Sequence, residues 1–302
     1  MITDKTTPGL QAKISSLLAL RMQSSIITRL GVPGKEADLR AFRSCCGLKA
    51  GSWLNSSDSR FDSQMTDPVF TVAFALRLGL EPFADIDADY MCKRCGDRMG
   101  NSCTHSSLCK KSGSGARTER HDGVKYAVAR AYREYHVAAR VRVEPNIVRQ
   151  CNLVAVDYAK SHRCRADLLV TDADGARIFD FVVANAAAAS APVLANKKTG
   201  VVAHREMEEK NKQYTKNYRG VVPGKNFFAC AAEVHGALHP FFVGVLRELI
   251  DIKDDSGFDR ETPKSVHASR LYERISCTVI YKQPSIFDMQ KLMCQRQVSK
   301  MQ

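Results

Sequence analysis

The chain has 302 residues, of which 44% are hydrophobic, so it can bury one substantial core together with a smaller module. No stretch approaches the roughly 18 uninterrupted apolar residues of a membrane span, and the N-terminus lacks the apolar segment of a signal peptide, which argues against a secreted or membrane-spanning protein. Eleven cysteines, an odd number, without an export signal predict reduced thiols and a nuclear or cytoplasmic location. The excess of 45 Lys and Arg over 32 Asp and Glu gives a net charge of +13, which favours a polyanionic partner. DNA is the first expectation, with RNA left open and a merely basic surface as the alternative.

Residues 1–85 have the pattern of a helical lead-in segment. Apolar residues recur at helical spacing over residues 8–30, which predicts an amphipathic helix. Asp67 and Pro68 are residue types that suit an N-cap and a first helical position, so a second helix is expected over residues 69–78.

Residues 86–115 are predicted to form a zinc knuckle. Cys92, Cys95, His105 and Cys109 follow the spacing C-x2-C-x9-H-x3-C, which can close a tetrahedron around one structural Zn²⁺. Chance clustering in a cysteine-rich chain is the alternative. Basic residues flank the ligands and would give the knuckle a nucleic-acid-binding exterior. They include Arg94, Arg98, Lys110 and Lys111.

The remainder, residues 116–302, is predicted to be one larger domain of mixed α/β (α+β) class. Residues 111–116 are rich in glycine and serine and are interpreted as a flexible joint, and an apolar stripe predicts a helix over residues 118–139. The expected strands cover residues 141–144, 167–171, 177–184 and 227–234, the other expected helices cover residues 202–218 and 238–250, and residues 276–281 are a further strand candidate. The core elements follow in the order α-β-β-β-α-β.

The predicted hairpin over residues 167–184 carries two acidic residues of chemical interest. A two-residue turn at Ala173-Asp174, or one shifted by a single residue, places Asp167 opposite or diagonal to Asp180 on one face of the sheet. Two carboxylates at that separation can hold one Mg²⁺ ion. A three-residue turn would put the acids on opposite faces, and two ordinary strand-edge acids remain the alternative.

The helix predicted after the hairpin adds a cation to this site. Lys210 and Tyr214 lie four residues apart and therefore on one helical face. A lysine beside a metal-bound carboxylate pair can orient the attacking water and offset charge that develops on a phosphate. A solvated, charged helix is the alternative interpretation.

Three basic residues ahead of the hairpin are expected to contact nucleic-acid phosphates together with the knuckle. Arg117, Arg120 and His121 lie just beyond the glycine-rich joint. Phosphate contacts of this kind would make DNA affinity fall steeply as the salt concentration rises.

From about residue 39 to about residue 250, the sequence resembles the C-terminal region of non-LTR retrotransposons that carry a restriction-like endonuclease. The resemblance is carried by the order and spacing of several short elements. The matching elements are Gly51 to Leu54, Arg77 to Leu80, the four knuckle ligands, Arg120-His121, Glu144-Pro145, Arg165 to Asp167, Asp180, Lys210 with Tyr214, and Phe228 to Glu233 with Gly236.

This resemblance implies a restriction-endonuclease-like core of the PD-(D/E)XK type and Mg²⁺-dependent cleavage of target DNA. It implies that Asp167 and Asp180 are the Mg²⁺ ligands and that Lys210 is the catalytic lysine, with Tyr214 as its partner. Glu144 would be a further acid at the site.

The sequence departs from the family pattern at three points. Ala166 replaces the proline of the motif's name, Val182 stands where a lysine often follows the second acid, and no YxDD-like polymerase motif is found. The chain could therefore be a fragment or a decayed copy. A catalytically inactive zinc-knuckle module that binds nucleic acid is the alternative function.

Overall fold

The computed structural model describes residues 7–55, 67–78, 80, 91, 95–96, 113–151, 153–155, 165–188, 190–251 and 262–281. Helices and strands are mixed along these residues. The helices are α1 Thr7–Leu30, α2 Glu36–Cys45, α3 Asp67–Arg77, α4 Gly113–Tyr135, α5 Ile147–Gln150, α6 Val201–Asn217, α7 Pro240–Asp251 and α8 Lys264–Tyr281, with 3-10 turns at Ser52–Asn55 and Val193–Asn196. The strands are β1 Arg140–Val143, β2 Val154–Ala155, β3 Leu168–Asp172, β4 Gly175–Ala184, β5 Tyr218–Arg219 and β6 Phe227–Glu233.

A four-stranded mixed sheet in the order β1-β3-β4-β6 forms the centre of the fold. β3 pairs antiparallel with both β1 and β4, whereas β4 pairs parallel with β6. Parallel neighbours need a crossover connection, and α6 lies within it. With short insertions, the elements α4, β1, β3, β4, α6 and β6 follow in the predicted α-β-β-β-α-β order. β2 and β5 form a separate two-stranded sheet.

The two faces of the central sheet bury different clusters, because side chains alternate along each strand. Phe179 and Phe181 belong to the cluster that includes residues of α4, α7 and α8. Ile178 and Val182 belong to the other cluster, which includes Met207 of α6. Asp180 stands between Phe179 and Phe181 in β4, so its side chain points to the opposite face of the sheet from theirs. That is the face covered by α6.

The structure differs from the sequence prediction at the start of α4 and at the end of α8. α4 is helical from Gly113, so residues 113–116 are not the flexible joint that was predicted. The predicted strand over residues 276–281 is wrong, because these residues form the end of α8. Leu271, Ile275 and Val279 recur every four residues in α8 and are buried, so packing along one helical face outweighs the strand preference of β-branched residues.

The N-terminal region contacts the end of the central sheet where β4 and β6 terminate. Arg40 of α2 donates from Nε to the Ala186 carbonyl at 3.0 Å and from Nη2 to the Ala187 carbonyl at 3.1 Å. The Leu238 N–H donates to the Leu48 carbonyl at 2.9 Å. Residues of α2 and of the segment after it are therefore held to the chain that follows β4 and β6. Among the described helices, none combines the length and apolar character needed to cross a membrane.

The last residue of β6 fixes the start of α6. Glu233 is buried, and its Oε1 accepts a hydrogen bond from the Ala203 N–H at 3.2 Å. Gly200, which precedes the helix, supplies no side-chain cap. A carboxylate at a helix N-terminus satisfies otherwise unpaired N–H groups, so Glu233 takes the place of a local N-cap.

Candidate active site

The hairpin has the two-residue turn predicted at Ala173-Asp174. Its ladder runs from Asp172↔Gly175 to Leu168↔Phe179, and the next opposed positions are Asp167 and Asp180. Gly175 has φ +122°, a conformation that a residue with a side chain rarely adopts. Turn length and register thus bring the two acids to one side of the sheet, as expected.

The two carboxyl groups contact one another and are anchored from several directions. Asp167 and Asp180 lie close enough for the ionisation of each to affect the other. Asp167 Oδ2 also accepts the Phe181 N–H at 2.6 Å and lies 2.9 Å from His121 Nε2. α4 packs on the opposite face of the sheet, so His121 reaches Asp167 past the end of β3.

Lys210 brings a positive charge to the pair from α6. Its Nζ lies 2.7 Å from Asp180 Oδ2, and its side chain is 30% exposed, against 7% for Asp180. Lys212, two residues further along the helix, is exposed. The site therefore consists of two facing carboxyl groups with a partly solvent-accessible ammonium at one of them.

The two aspartates have opposite electrostatic environments. Burial raises the pKa of Asp180 to about 7, although the Lys210 ammonium opposes the shift. Burial also acts on Asp167, but the hydrogen bonds from His121 and Asp180 outweigh it and lower the pKa of Asp167. One carboxylate is thus charged while its partner titrates near neutral pH, the separation of roles that is typical of a functional pair.

Beyond Asp167, a chain of charged side chains extends to Glu144. The ammonium of Lys125, a side chain only 1% exposed, lies 2.7 Å from both Asp122 Oδ1 and Glu144 Oε1. Asp122 Oδ1 is in turn 3.2 Å from His121 Nδ1. Hydrogen bonding to Asp167 raises the pKa of His121, which favours the imidazolium form that can donate to both acids.

Glu144 has an unusual backbone conformation next to this chain. Its φ is +50°, in the left-handed region that residues other than glycine seldom occupy. The Glu144 N–H donates to the Asp167 carbonyl at 3.0 Å, which continues the pairing of β1 with the hairpin. Its carboxylate points to Lys125, and Oε2 lies 3.9 Å from Arg165 Nη1.

Tyr214, Arg120 and Arg117 were also predicted to be functional residues, and they differ in how exposed they are. The Tyr214 ring is buried and stacks on Phe227 at a centroid distance of 4.1 Å, so packing accounts for its position. Arg120 is only 4% exposed, which is inconsistent with the predicted surface contact to phosphate, and burial lowers the pKa of its guanidinium to about 10. Arg117 is exposed, as a phosphate-binding residue requires.

The zinc knuckle lies almost entirely outside the described residues. Of its four predicted ligands only Cys95 is described, and it is partly buried. The flanking Arg94, Arg98, Lys110 and Lys111 also lie outside. Within the described ranges, no group of three or more His, Cys, Asp and Glu side chains is arranged to hold a metal ion.

Sequence reasoning missed Asp122 and Lys125. The available signal was the position of Lys125, which lies three residues before Val128 and seven before Tyr132, within the apolar stripe of α4. A charged residue in such a stripe is rarely buried without a partner. One partner, Asp122, lies three residues earlier in α4, but the other, Glu144, directly follows β1, and the helical pattern does not reveal it.

Neither the family models nor the curated proteins with which the chain was compared gave a match.

Proposed function

We propose that this protein is a metal-dependent DNA endonuclease with a restriction-like core, related to the nuclease region of non-LTR retrotransposons. The observation that supports the proposal best is the convergence of Asp167, Asp180 and Lys210 at one site. Period-two alternation in the strands and the 3.6-residue period of α6 bring them together independently. A structural ion pair alone would not require a second carboxyl group in contact with the first.

Magnesium fits the donor set of this site. Mg²⁺ binds in proteins through one or two carboxylates and completes its octahedron with water and substrate phosphate oxygens. Asp167 and Asp180 would supply those carboxylates, and their contact in a buried setting is the kind of repulsive arrangement that a cation relieves. When bound, the ion would act as a Lewis acid toward the phosphate and make coordinated water more acidic.

The protein's own side chains would prepare the site for phosphodiester hydrolysis. Lys210 would offset the negative charge that develops on the phosphate, because its ammonium is fixed at Asp180 yet partly open to solvent. His121 and the Phe181 N–H would hold one Asp167 oxygen in a defined orientation. Such fixed geometry removes orientational freedom from the reaction in advance.

The zinc knuckle would supply part of the DNA contact. Cys92, Cys95, His105 and Cys109 would hold one structural Zn²⁺, and the basic residues around them would contact phosphates. Exposed Arg117 would extend this surface toward the active site.

Nicking of supercoiled plasmid DNA in Mg²⁺ tests the proposal. The wild-type protein should convert supercoiled to open circular DNA, and Asp167→Ala should abolish conversion while DNA binding in an electrophoretic shift assay persists. Lys210→Met should reduce nicking by about 100-fold or more, whereas the matched Lys212→Met should lose far less. A folded wild-type protein that binds DNA without cutting it would favour the inactive binding module instead.

A further inference from the structure

Lys125 is a buried charge that needs an explanation. Its side chain is 1% exposed, and it lies in α4 among apolar core positions. Removing an ammonium from water costs several kcal/mol, and apolar replacements of buried ion pairs are often neutral or stabilising. Fold stability alone therefore gives little reason for a lysine at this position.

The contacts of Lys125 lead directly to the active site. On one side its Nζ donates to Asp122 Oδ1 at 2.7 Å, and the same oxygen lies 3.2 Å from His121 Nδ1. His121 Nε2 then lies 2.9 Å from Asp167 Oδ2. On the other side Nζ donates to Glu144 Oε1 at 2.7 Å. Three consecutive polar contacts thus connect a buried ammonium to a carboxylate of the proposed cation site.

We propose that Lys125 is a positioning residue for the Asp167 carboxylate, acting through Asp122 and His121, and that Glu144 serves as its counter-ion instead of binding the active-site cation. This inference rests on the proposed function. Lys125 fixes Asp122, Asp122 fixes the plane of the His121 ring, and the ring holds Asp167 Oδ2 from one side. Side chains that orient a ligand in this way typically change metal affinity by about 10-fold to 100-fold when they are removed.

The position of Glu144 supports its part of the proposal. Oε1 is engaged by Lys125, and Oε2 is nearest to the Arg165 guanidinium at 3.9 Å. Both oxygens of Glu144 thus have a cationic group nearby, at opposite ends of the carboxylate. The left-handed backbone at Glu144 is explained by the same need, because it allows the N–H to pair with Asp167 while the side chain meets Lys125.

The test measures Mn²⁺ binding to the 302-residue chain without DNA, by electron paramagnetic resonance. Lys125→Met should weaken Mn²⁺ binding by about 10-fold or more. Lys212→Met removes the same charge from an exposed position and should have little effect. In a double-mutant cycle, Lys125→Met combined with Glu144→Gln should bind Mn²⁺ no more weakly than Lys125→Met alone.

Two results would contradict the proposal. A folded Lys125→Met protein with wild-type Mn²⁺ affinity would overturn the positioning role. Additive losses from Lys125→Met and Glu144→Gln would show that Glu144 binds the cation itself. If Lys125→Met does not fold, Asp122→Asn breaks the same chain at a side chain that is 34% exposed, and the same loss is expected.

Asp167→Asn separates this inference from the proposed function. If Asp167→Asn abolishes Mn²⁺ binding and Lys125→Met leaves it intact, only the positioning role fails. If Asp167→Asn leaves Mn²⁺ binding unchanged, the proposed cation site itself fails, and the inference fails with it.

Discussion

The buried carboxyl group of Asp180 makes the stability of the metal-free protein depend on pH. Burial raises the pKa of Asp180 to about 7, whereas the pKa of an aspartate in an unfolded chain is about 3.9. Between these values the folded state holds a proton that the unfolded state has released. The stabilisation that comes from this bound proton is therefore fully present below the pKa of the unfolded state. It is lost as the pH rises through the pKa of the folded state.

The size of this loss follows from the two pKa values. From about pH 5 to the folded pKa is about two units, and each unit corresponds to about 1.4 kcal/mol. The free energy of unfolding should thus fall by about 2–3 kcal/mol between about pH 5 and about pH 8 from this group alone. Asp180→Asn removes the titration and should lack this part of the pH dependence.

Urea denaturation at the two pH values, followed by circular dichroism with EDTA present, measures the effect. The quantity compared is the change in unfolding free energy of the wild type minus that of Asp180→Asn, which cancels the titration of groups that do not interact with Asp180. Asp174→Asn, an exposed change in the turn of the same hairpin, should behave as the wild type. Ca²⁺ added in excess over the EDTA should restore stability at the higher pH to the wild type and not to Asp180→Asn. Parallel pH dependences for wild type and Asp180→Asn would refute the reasoning.

Three further predictions concern other parts of the chain. Purified protein should contain about one equivalent of zinc by mass spectrometry and Cys95→Ser should lose it, because metal affinity contributes folding energy in such segments; a zinc-free wild type would contradict the knuckle. DNA affinity measured by fluorescence anisotropy should fall steeply with salt, and Arg117→Ala should reduce the slope of log affinity against log salt by about one; a flat salt dependence would exclude the basic surface. Glu233→Ala leaves the Ala203 N–H without its acceptor and should lower the free energy of unfolding, measured by urea denaturation, by about 1–3 kcal/mol. Replacement of the exposed Glu209 by alanine is the control. Equal stability of the two variants would contradict the capping role of Glu233.

The hairpin and its paired acids were accessible from the sequence because they depend on local information. A short polar turn between two strand-like runs fixes the register, and the register decides which side chains share a face. Lys210 was accessible for the same reason, since helical spacing alone determines its face. The contact between Lys210 and Asp180 still depended on how α6 packs, which the sequence did not specify.

The remaining features depend on contacts between distant segments. The end of α8 has the composition of a strand, and only its packing beside α4 makes it helical. Arginine is a residue type typical of surface contacts, but the position of Arg120 on α4 places its side chain in the interior. The link from Lys125 to Glu144 joins a helix to a strand end, and no pattern within either segment predicts it.

The hydrogen bonds of Arg40 have a consequence for the order of events during synthesis. Its acceptor at Ala186 follows 146 residues later in the chain. At about 5–20 residues per second, a ribosome needs roughly 7–30 s to translate that interval. Leu39 and Phe42 of α2 can pack with Leu30 of α1 during this time, but Arg40 must wait for the carbonyl groups that follow β4. In a circular permutant that starts at the hairpin, Ala186 and Ala187 would be synthesised before α2, so Arg40 would meet its acceptors without this delay.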